Sequence, residues 1–546
     1  MSAGNYDPIA LGILWDRLVS IADEIVNSLV RTSFSTNVRE SYDLSCVVFD
    51  ARGRSLAQGS YSVPSFTGTA PDTLRHMLAR FPAATLSAGD VIITNDPWLG
   101  TGHLFDVCVM QPVFRDGEIV AYCMSITHLP DIGGGGFSAT ARTVYEEGLC
   151  IPICKLYEAG RPNDFLLELI RTNVRVAQET LGDLMANVSC STVGGRMVNE
   201  FMTEYRIDSL EQLASQILEL SEKALRDEIR KIPDGIYAHA VDVEGVGQNL
   251  RLACTVQVRG DSVHVDFEGT SPAVDVAINV PACYTKAMVC YSIKVLTTPR
   301  IPNNDGSLLP ITFSAPEGSV LNPRTPYATG GRHVIGHFIT PLVFGALAKA
   351  MPDCVQADSG MLNLINVQGT TREGKGVSSI FFCSGGYGAL KGKDGAPATP
   401  SPSNMTGTPI EVWENLTGLV IEEKVLLPDS GGAGEFRGGL GQRIRMRNDS
   451  GHPMVVSCIA GRTEFPAQGI LGGHAATARV VMINDEVVHP KGRYVLQPGD
   501  RMTLLEAGGG GVGNPRLRAR ERVAADVALG YVTQEAAARD YGYLPG

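Results

Sequence analysis

Residues 95–131 read NDPWLGTGHLFDVCVMQPVFRDGEIVAYCMSITHLPD. Two apolar runs, 107–114 and 119–126, flank the polar segment at 115–118. An Asp-Gly pair between apolar runs is a strong short-range signal for a β-hairpin. The stretch therefore predicts two paired, buried strands with Asp116 and Gly117 at the centre of the turn.

The motif His-Leu-x-Asp occurs on both sides of this hairpin, at 103–106 and at 128–131. If Asp-Gly forms the centre of the turn, Asp106 faces Thr127. Both copies then meet at the open end of the hairpin, which brings two imidazoles and two carboxylates into one small volume. Asp96 is close enough in the sequence to join them.

Imidazole and carboxylate groups are the ligands that Zn, Mn and Fe use in proteins. The hairpin end therefore predicts a divalent metal site. Residues three apart in a regular strand point to opposite faces, so His103 and Asp106 can share a metal only if the backbone is irregular there. Gly100, Gly102 and Pro130 favour such irregularity. The alternative is that these polar side chains only cap the ends of the hairpin.

The rest of the chain alternates helical and strand-like patterns. Residues 8–31 repeat apolar side chains at helical spacing behind Asp7, a suitable N-cap, and 164–230 is helical with a break near Gly194. We predict a mixed α/β, multi-domain fold: an N-terminal α/β domain with the metal site, then β-rich central and C-terminal domains, the last ending in a helix. The predicted domain bounds are 1–230, 231–400 and 401–546.

Composition excludes several classes of protein. The 546 residues carry a formal net charge of −12 and are 44% hydrophobic, which opposes both disorder and binding to nucleic acid. The twelve cysteines are scattered, so we expect reduced thiols. Because neither a leader pattern nor a long uncharged apolar run is recognisable, we expect a cytoplasmic protein with no membrane span.

Other candidate residues are weaker. The glycine clusters, among them 508–511, could bind an anion, but no phosphate-binding loop motif accompanies them, so flexible loops are the simpler interpretation. Arg332, His333 and His337 are either a substrate contact or buried structural residues. Cys383 and Ser384 lack an identifiable catalytic partner. Asp43 is interpreted as a cap at the start of a strand.

Longer motifs run along nearly the whole chain. They include RESYDLSCVVFDARG (39–53), NDPWLGTGHLFDV (95–107), THLPDIGG (127–134), VYEEGLCIPICKL (144–156), APEGSVLNP (315–323), NMTGTPIEVWE (404–414), PDSGGAGEFRGGLGQ (428–442) and GGGGVGNP (508–515). In these motifs the sequence resembles the hydantoinase B/oxoprolinase family. Members include ATP-dependent hydantoinases, oxoprolinases and lactamases, with related ketone carboxylases.

The resemblance implies a division of labour between two subunits. A hydantoinase A-type partner binds ATP with Mg and phosphorylates a substrate oxygen, and the B-type chain holds a divalent metal in a hetero-oligomer. The metal-ligand pattern of the carboxylase branch, His-x-x-Asp followed by a further His, matches His103, Asp106 and His128. Asp131 and Asp96 match accompanying acidic positions, which implies a role beside the ligands or in proton transfer.

One departure concerns the substrate. Many hydrolases of the family carry IPVHLGAM where this chain has VPSFTGTA at 63–70, so Phe66 replaces a histidine. This change leaves three functions open. The leading one is ATP-dependent opening of a cyclic amide such as a hydantoin, oxoproline or lactam. The alternatives are carboxylation of a ketone with bicarbonate and a non-catalytic assembly subunit.

Overall fold

A computed structural model describes residues 6–544, which form four β-sheets surrounded by helices. In chain order the strands are β1 (Leu44–Asp50), β2 (Ser55–Gln58), β3 (Val91–Thr94), β4 (Asp106–Arg115), β5 (Glu118–His128), β6 (Cys154–Glu158), β7 (Arg161–Pro162), β8 (Gly235–Glu244), β9 (Asn249–Arg259), β10 (Ser262–Asp266), β11 (Ile311–Ser314), β12 (Leu362–Thr370), β13 (Gly376–Ser384), β14 (Leu419–Leu426), β15 (Gln442–Asn448), β16 (Met454–Ile459), β17 (Val480–Ile483), β18 (Glu486–Val487), β19 (Arg493–Leu496) and β20 (Arg501–Leu505).

The helices lie between and around these sheets. They are α1 (Pro8–Thr32), α2 (Thr36–Arg39), α3 (Phe66–Arg80), α4 (Val144–Glu147), α5 (Asp164–Asn173), α6 (Ala177–Glu204), α7 (Glu211–Ile229), α8 (Ala282–Thr297), α9 (His333–Gly336), α10 (Ile339–Leu347), α11 (Ile410–Thr417), α12 (Arg520–Ala528) and α13 (Gln534–Ala536). The mixed α/β fold with several sheets is the predicted class. The domain bounds near residues 230 and 400 stay predictions.

The first sheet contains the predicted hairpin. Its strand order is β2-β1-β5-β4-β3-β6-β7, and all of its pairs are antiparallel. Asp116 and Gly117 have φ of 51° and 88°, as a two-residue turn of type I′ requires. The predicted register is wrong by one residue, because a bulge at Val113/Phe114 shifts the pairing. Asp106 therefore pairs with His128 and not with Thr127.

Long helices cover this sheet. In α1, the Asp7 carboxylate caps the first turn by accepting from the backbone N–H groups of Ile9 and Ala10. The predicted break at Gly194 is wrong, because α6 runs through it without interruption. A Cβ at Gly194 would collide with Ile25 of α1, so this glycine allows two helices to approach closely.

The other sheets complete the fold. One has the order β11-β10-β9-β8, with β10 and β11 parallel. The remaining two have the orders β13-β12-β16-β19 and β14-β15-β20-β17-β18 and share a core around Trp413. Within residues 6–544, no helix combines the length and the apolar character that crossing a bilayer requires.

The glycine clusters are not flexible loops, and this corrects the interpretation made from the sequence. Extended glycine segments lie side by side and exchange backbone hydrogen bonds: Gly439 donates to Tyr387, Gly509 donates to Gly439, and Gly432 donates to Gly509, at 2.8–2.9 Å. A Cβ at Gly386 or Gly509 would collide with neighbouring backbone. The glycines therefore permit backbone-to-backbone packing inside the protein.

Candidate metal centre

Two strand ends and one irregular turn position three side chains. Asp106 is the first residue of β4 and His128 is the last residue of β5, so the hairpin register sets them opposite each other. His103 precedes β4 in a turn where Gly102 has φ of +102°. Because His103 lies outside the strand, the strand geometry that would separate it from Asp106 does not apply.

The three side chains converge on one point. One ligand atom each of His103, Asp106 and His128 can be chosen so that all lie within 4.8 Å of one another, and all three residues are buried. His103 Nε2 and Asp106 Oδ1 are 2.9 Å apart. Nevertheless, these two atoms and His128 Nε2 have no hydrogen-bond partner among the described residues. Buried polar atoms without partners are costly, which indicates a site built for a ligand.

Backbone carbonyls orient both imidazoles. His103 Nδ1 lies 3.0 Å from the carbonyl of Gly330, and His128 Nδ1 lies 2.9 Å from the carbonyl of Leu129. A carbonyl only accepts, so each Nδ1 carries the proton and each Nε2 presents a lone pair to the cluster. This arrangement is the one usually found for metal-binding histidines, whose second nitrogen is held by a fixed acceptor.

The carboxylate of Asp106 is held by its other oxygen. Oδ2 accepts from Thr101 Oγ1 at 2.8 Å and from Arg332 Nη2 at 2.6 Å, so Oδ1 faces the histidines. Burial alone would raise the pKa of Asp106, but interactions with His103 and with Arg332 lower it below its usual value. The group is therefore an anionic ligand across the physiological range.

Both histidines are uncharged. Burial, reinforced by the neighbouring His103, lowers the pKa of His128 to about 3. Burial and the Arg332 charge also lower the pKa of His103. Two neutral imidazoles and one carboxylate, whose converging atoms have no hydrogen-bond partner in the described part of the chain, fit a divalent transition metal ion.

Asp131 and Asp96, the two acidic residues predicted to assist the metal ligands, lie outside the cavity beside the cluster. Asp131 accepts from the backbone N–H groups of Gly133 and Arg175 and pairs with Arg175 Nη1 at 2.7 Å. Asp96 accepts from the N–H groups of Trp98 and Leu99 in a local turn. Neither residue lines the cavity beside the cluster in the described part of the chain. Their contacts indicate structural roles, and the proton-transfer role assigned from the sequence gains no support from them.

Other residues line that cavity, and one of them was misjudged from the sequence. Asp43, interpreted as a strand cap, contributes to the wall, where burial and the nearby Asp106 raise its pKa well above the usual value. Arg332, His333 and His337 also line it. In the sequence, the glycines at 330 and 331 and the close spacing of Arg332, His333 and His337 indicated a possible site. No local pattern, however, connects this segment to residues 103–128.

The positions of Cys383 and Ser384 give no support for a role at the metal-ligand cluster. Cys383 is buried and packs in the separate core around Trp413, and Ser384 ends β13 without a described contact to the metal cluster. In contrast, Phe66 and Phe382 line the cavity. The cavity measures about 40 Å³, which accommodates an ion and one or two waters.

A second cavity, of about 440 Å³, is lined in part by the same segments of the chain. Two segments, 63–66 and 401–405, supply residues alternately to both cavities: Pro64 faces the larger one, whereas Phe66 and Met405 face the smaller one. The two cavities therefore share two lining segments.

The chain is thus a mixed α/β protein with a buried cluster of two imidazoles and one carboxylate, a set of side chains that divalent transition metals use as ligands in other proteins. The chain belongs to the hydantoinase B/oxoprolinase family, whose model matches residues 7–515. It is 30% identical to the caprolactamase subunit beta of Pseudomonas jessenii, over 98% of this chain and 96% of that protein.

Two solved structures resemble the fold. The ATP-dependent caprolactamase from Pseudomonas jessenii aligns with a TM-score of 0.91 at 26% identity and covers all of this chain and 97% of that one. A nucleotide-free acetone carboxylase aligns with a TM-score of 0.90 at 19% identity, over 98% of this chain and 79% of that one. The second likeness shows the fold alone.

Proposed function

We propose that this chain is the metal-bearing catalytic subunit of an ATP-dependent cyclic amidase that opens a hydantoin, oxoproline or lactam ring. The observation that carries the proposal is the set of three buried side-chain atoms on His103, Asp106 and His128 that have no hydrogen-bond partner within residues 6–544. The family membership and the caprolactamase relative support the reaction class.

These three residues would hold a Zn, Mn or Fe ion. Such an ion supplies Lewis acidity or lowers the pKa of bound water. The chain's own contribution is orientation. The carbonyls of Gly330 and Leu129 fix the imidazoles, and Arg332 fixes the carboxylate. The surrounding apolar wall excludes bulk water and strengthens each polar contact.

The energy for the reaction would come from a partner. An unstrained amide is a poor electrophile, and phosphorylation of its oxygen activates it. The sequence contains no phosphate-binding loop motif. We therefore assign ATP and Mg to a hydantoinase A-type subunit in a hetero-oligomer, which accords with the name of the relative as one subunit of a caprolactamase.

The test is a reconstitution with the A-type partner. The complex is incubated with a lactam, a hydantoin or a ketone, in separate reactions with and without ATP in ¹³C-bicarbonate, and products are identified by mass spectrometry. We expect ring opening that depends on ATP and a product without ¹³C. Incorporation of ¹³C into a ketone substrate would instead establish a carboxylase. Full activity of a His128→Ala complex would establish a non-catalytic subunit.

A further inference from the structure

The larger cavity, of about 440 Å³, neighbours the cavity that contains the metal-ligand cluster. Pro402 and Asn404 line the larger cavity, whereas Ser403 and Met405 of the same short segment line the smaller one. The smaller cavity, of about 40 Å³, accommodates an ion and one or two waters. The larger volume lies in the range of small-molecule sites, about 300–1,000 Å³. Of these two cavities, the larger one therefore has room for an organic ligand.

Three hydrogen-bond donors line the larger cavity. They are the ammonium group of Lys393 and the hydroxyls of Tyr291 and Tyr387, and within residues 6–544 none of them has a hydrogen-bond or ion-pair partner. Burial raises the pKa of Tyr291, and the neighbouring Tyr387 adds to this shift, so both hydroxyls keep their protons. One cation and two hydroxyl donors favour a ligand that carries several anionic oxygens.

A carboxylate also lines this cavity, but its charge is already balanced. Asp394 accepts from both terminal nitrogens of Arg518, at 2.7 and 2.9 Å, and from the backbone N–H of Arg437 at 2.7 Å. Burial alone would raise the pKa of Asp394, but the hydrogen bonds from Arg518 lower it below its usual value. Because Arg518 offsets Asp394, the positive charge of Lys393 remains available to a ligand in the part of the chain that the structure describes.

Apolar side chains form much of the remaining wall. They include Pro64, Leu390, Pro400 and Pro402. Contact with such groups removes the hydrocarbon surface of a ligand from water, which favours binding. The cavity thus offers donors for an anionic group and apolar contacts for a ring, which together match an organic phosphate better than a free inorganic anion.

We infer that the larger cavity binds the O-phosphorylated cyclic amide before its ring is opened. The inference rests on the proposed function and locates its activated intermediate on this chain. Lys393, Tyr291 and Tyr387 bind the phosphoryl oxygens, and the prolines and Leu390 contact the ring. Passage from this cavity to the metal-ligand cluster requires movement of the segments that the two cavities share, because the smaller cavity does not admit a ring.

The chemistry balances without oxidation or reduction. In the partner subunit the amide oxygen bonds to the γ-phosphorus of ATP, the bond from that phosphorus to the bridging oxygen breaks, and ADP and the amide proton leave. Two water molecules then complete the reaction: one cleaves the C–N bond of the ring, and the other replaces the phosphate on the carbonyl carbon. The products are the opened ring and inorganic phosphate. Between these two steps the phosphorylated amide must be kept from escaping into water.

The first test measures the number of ATP molecules consumed per ring opened by the reconstituted complex with a lactam. In Lys393→Gln and in Tyr291→Phe the intermediate should escape and hydrolyse to the lactam, so we expect this ratio to rise by at least about threefold while the KM for ATP stays unchanged. Lys393→Arg should keep the wild-type ratio. Lys391→Gln, which removes a nearby lysine paired with Asp353, is the matched control. An unchanged ratio in both Lys393→Gln and Tyr291→Phe would overturn the inference.

The second test measures binding in the absence of the reaction. The complex is saturated with ADP, so that the nucleotide site of the partner is occupied, and phenyl phosphate or inorganic phosphate is titrated by calorimetry. We expect phenyl phosphate to bind more tightly than inorganic phosphate, and Lys393→Gln to weaken its binding by about tenfold. Equal binding of phenyl phosphate to the wild type and Lys393→Gln, or tighter binding of inorganic phosphate, would overturn the inference. If the wild-type complex opens no cyclic amide, the proposed function fails, and these titrations still decide whether the cavity binds an organic phosphate.

Discussion

Arg332 Nη2 donates to Asp106 Oδ2 across 2.6 Å, although 226 positions of sequence separate the two residues. The contact is buried and leaves the other oxygen of Asp106 to face His103. Arg332, the residue immediately before α9, therefore fixes the orientation of the Asp106 carboxylate at the start of β4. The affinity of the site for metal should depend on it.

Replacing Arg332 should weaken metal binding without removing a ligand. Arg332→Lys keeps a charge but loses the planar donor that reaches both Asp106 and Thr101, so we expect metal affinity to fall by about 10–100-fold. Competition with a chelating dye measures this. Arg324→Lys, in an exposed ion pair with Glu317, is the matched control. Equal affinities in the two variants would contradict the orienting role of Arg332.

Gly102 should be intolerant of a side chain. Its φ is +102°, and an added Cβ would lie 2.8 Å from Arg332 Cδ. Gly102→Ala should therefore lower both the melting temperature and the metal content. Gly117 also has positive φ, but a Cβ there meets open space. Gly117→Ala should cost only about 1–2 kcal/mol in backbone strain and keep the metal, and loss of metal from both variants would argue against a local effect at Gly102.

The hairpin and the metal-ligand candidates could be predicted from the sequence because their signals are local. The Asp-Gly turn and the two His-Leu-x-Asp copies lie within one short stretch. The bulge at Val113/Phe114 has no comparable signal, since it depends on how the sheet twists and packs, and it moved the register by one residue.

The surroundings of the site could not be predicted in the same way. Asp43 and His333 reach the cavity only through the tertiary fold. Likewise, the glycine clusters were interpreted as loops. Glycine is favoured both in flexible segments and where two backbones pack closely, so the sequence alone does not distinguish the two cases.

Asp131 should be a structural residue. Its carboxylate is fully buried and accepts from three donors, two of which belong to Arg175. Asp131→Asn should lower the free energy of unfolding by about 1–3 kcal/mol and leave the metal content unchanged. Differential scanning calorimetry and elemental analysis measure the two effects. Activity abolished in a variant that is equally stable and fully metallated would restore the catalytic role.

Glu147 should make stability depend on pH. Its carboxylate accepts from the N–H groups of Thr329 and Gly330, and burial raises its pKa to about 8. In the unfolded state Glu147 loses its proton above the usual pKa of a glutamate, about 4.5, whereas in the folded state it keeps the proton up to about pH 8. The contribution of this group to stability therefore falls as the pH rises from about 4.5 towards 8.

The Glu147→Gln variant isolates this titration, since glutamine keeps the acceptor oxygen and cannot ionise. As the pH rises from about 5 to about 8, the wild type should lose the stability that protonated Glu147 contributes, whereas the variant should not. The melting temperature of the variant should therefore rise relative to that of the wild type over this range. Glu146→Gln, at the exposed neighbouring position, should show no such trend. Parallel pH profiles for wild type and Glu147→Gln would rule out the raised pKa.

Whether His103, Asp106 and His128 hold a divalent metal is decided by the metal content of the purified protein. Inductively coupled plasma mass spectrometry would be applied to the wild type, to His103→Ala, and to His452→Ala, which removes an exposed histidine and serves as control. We expect near-stoichiometric Zn, Mn or Fe in the wild type and the control, and loss of this metal from His103→Ala. A folded wild type that stays metal-free after supplementation, or a His103→Ala variant that keeps its metal, would rule out these three ligands.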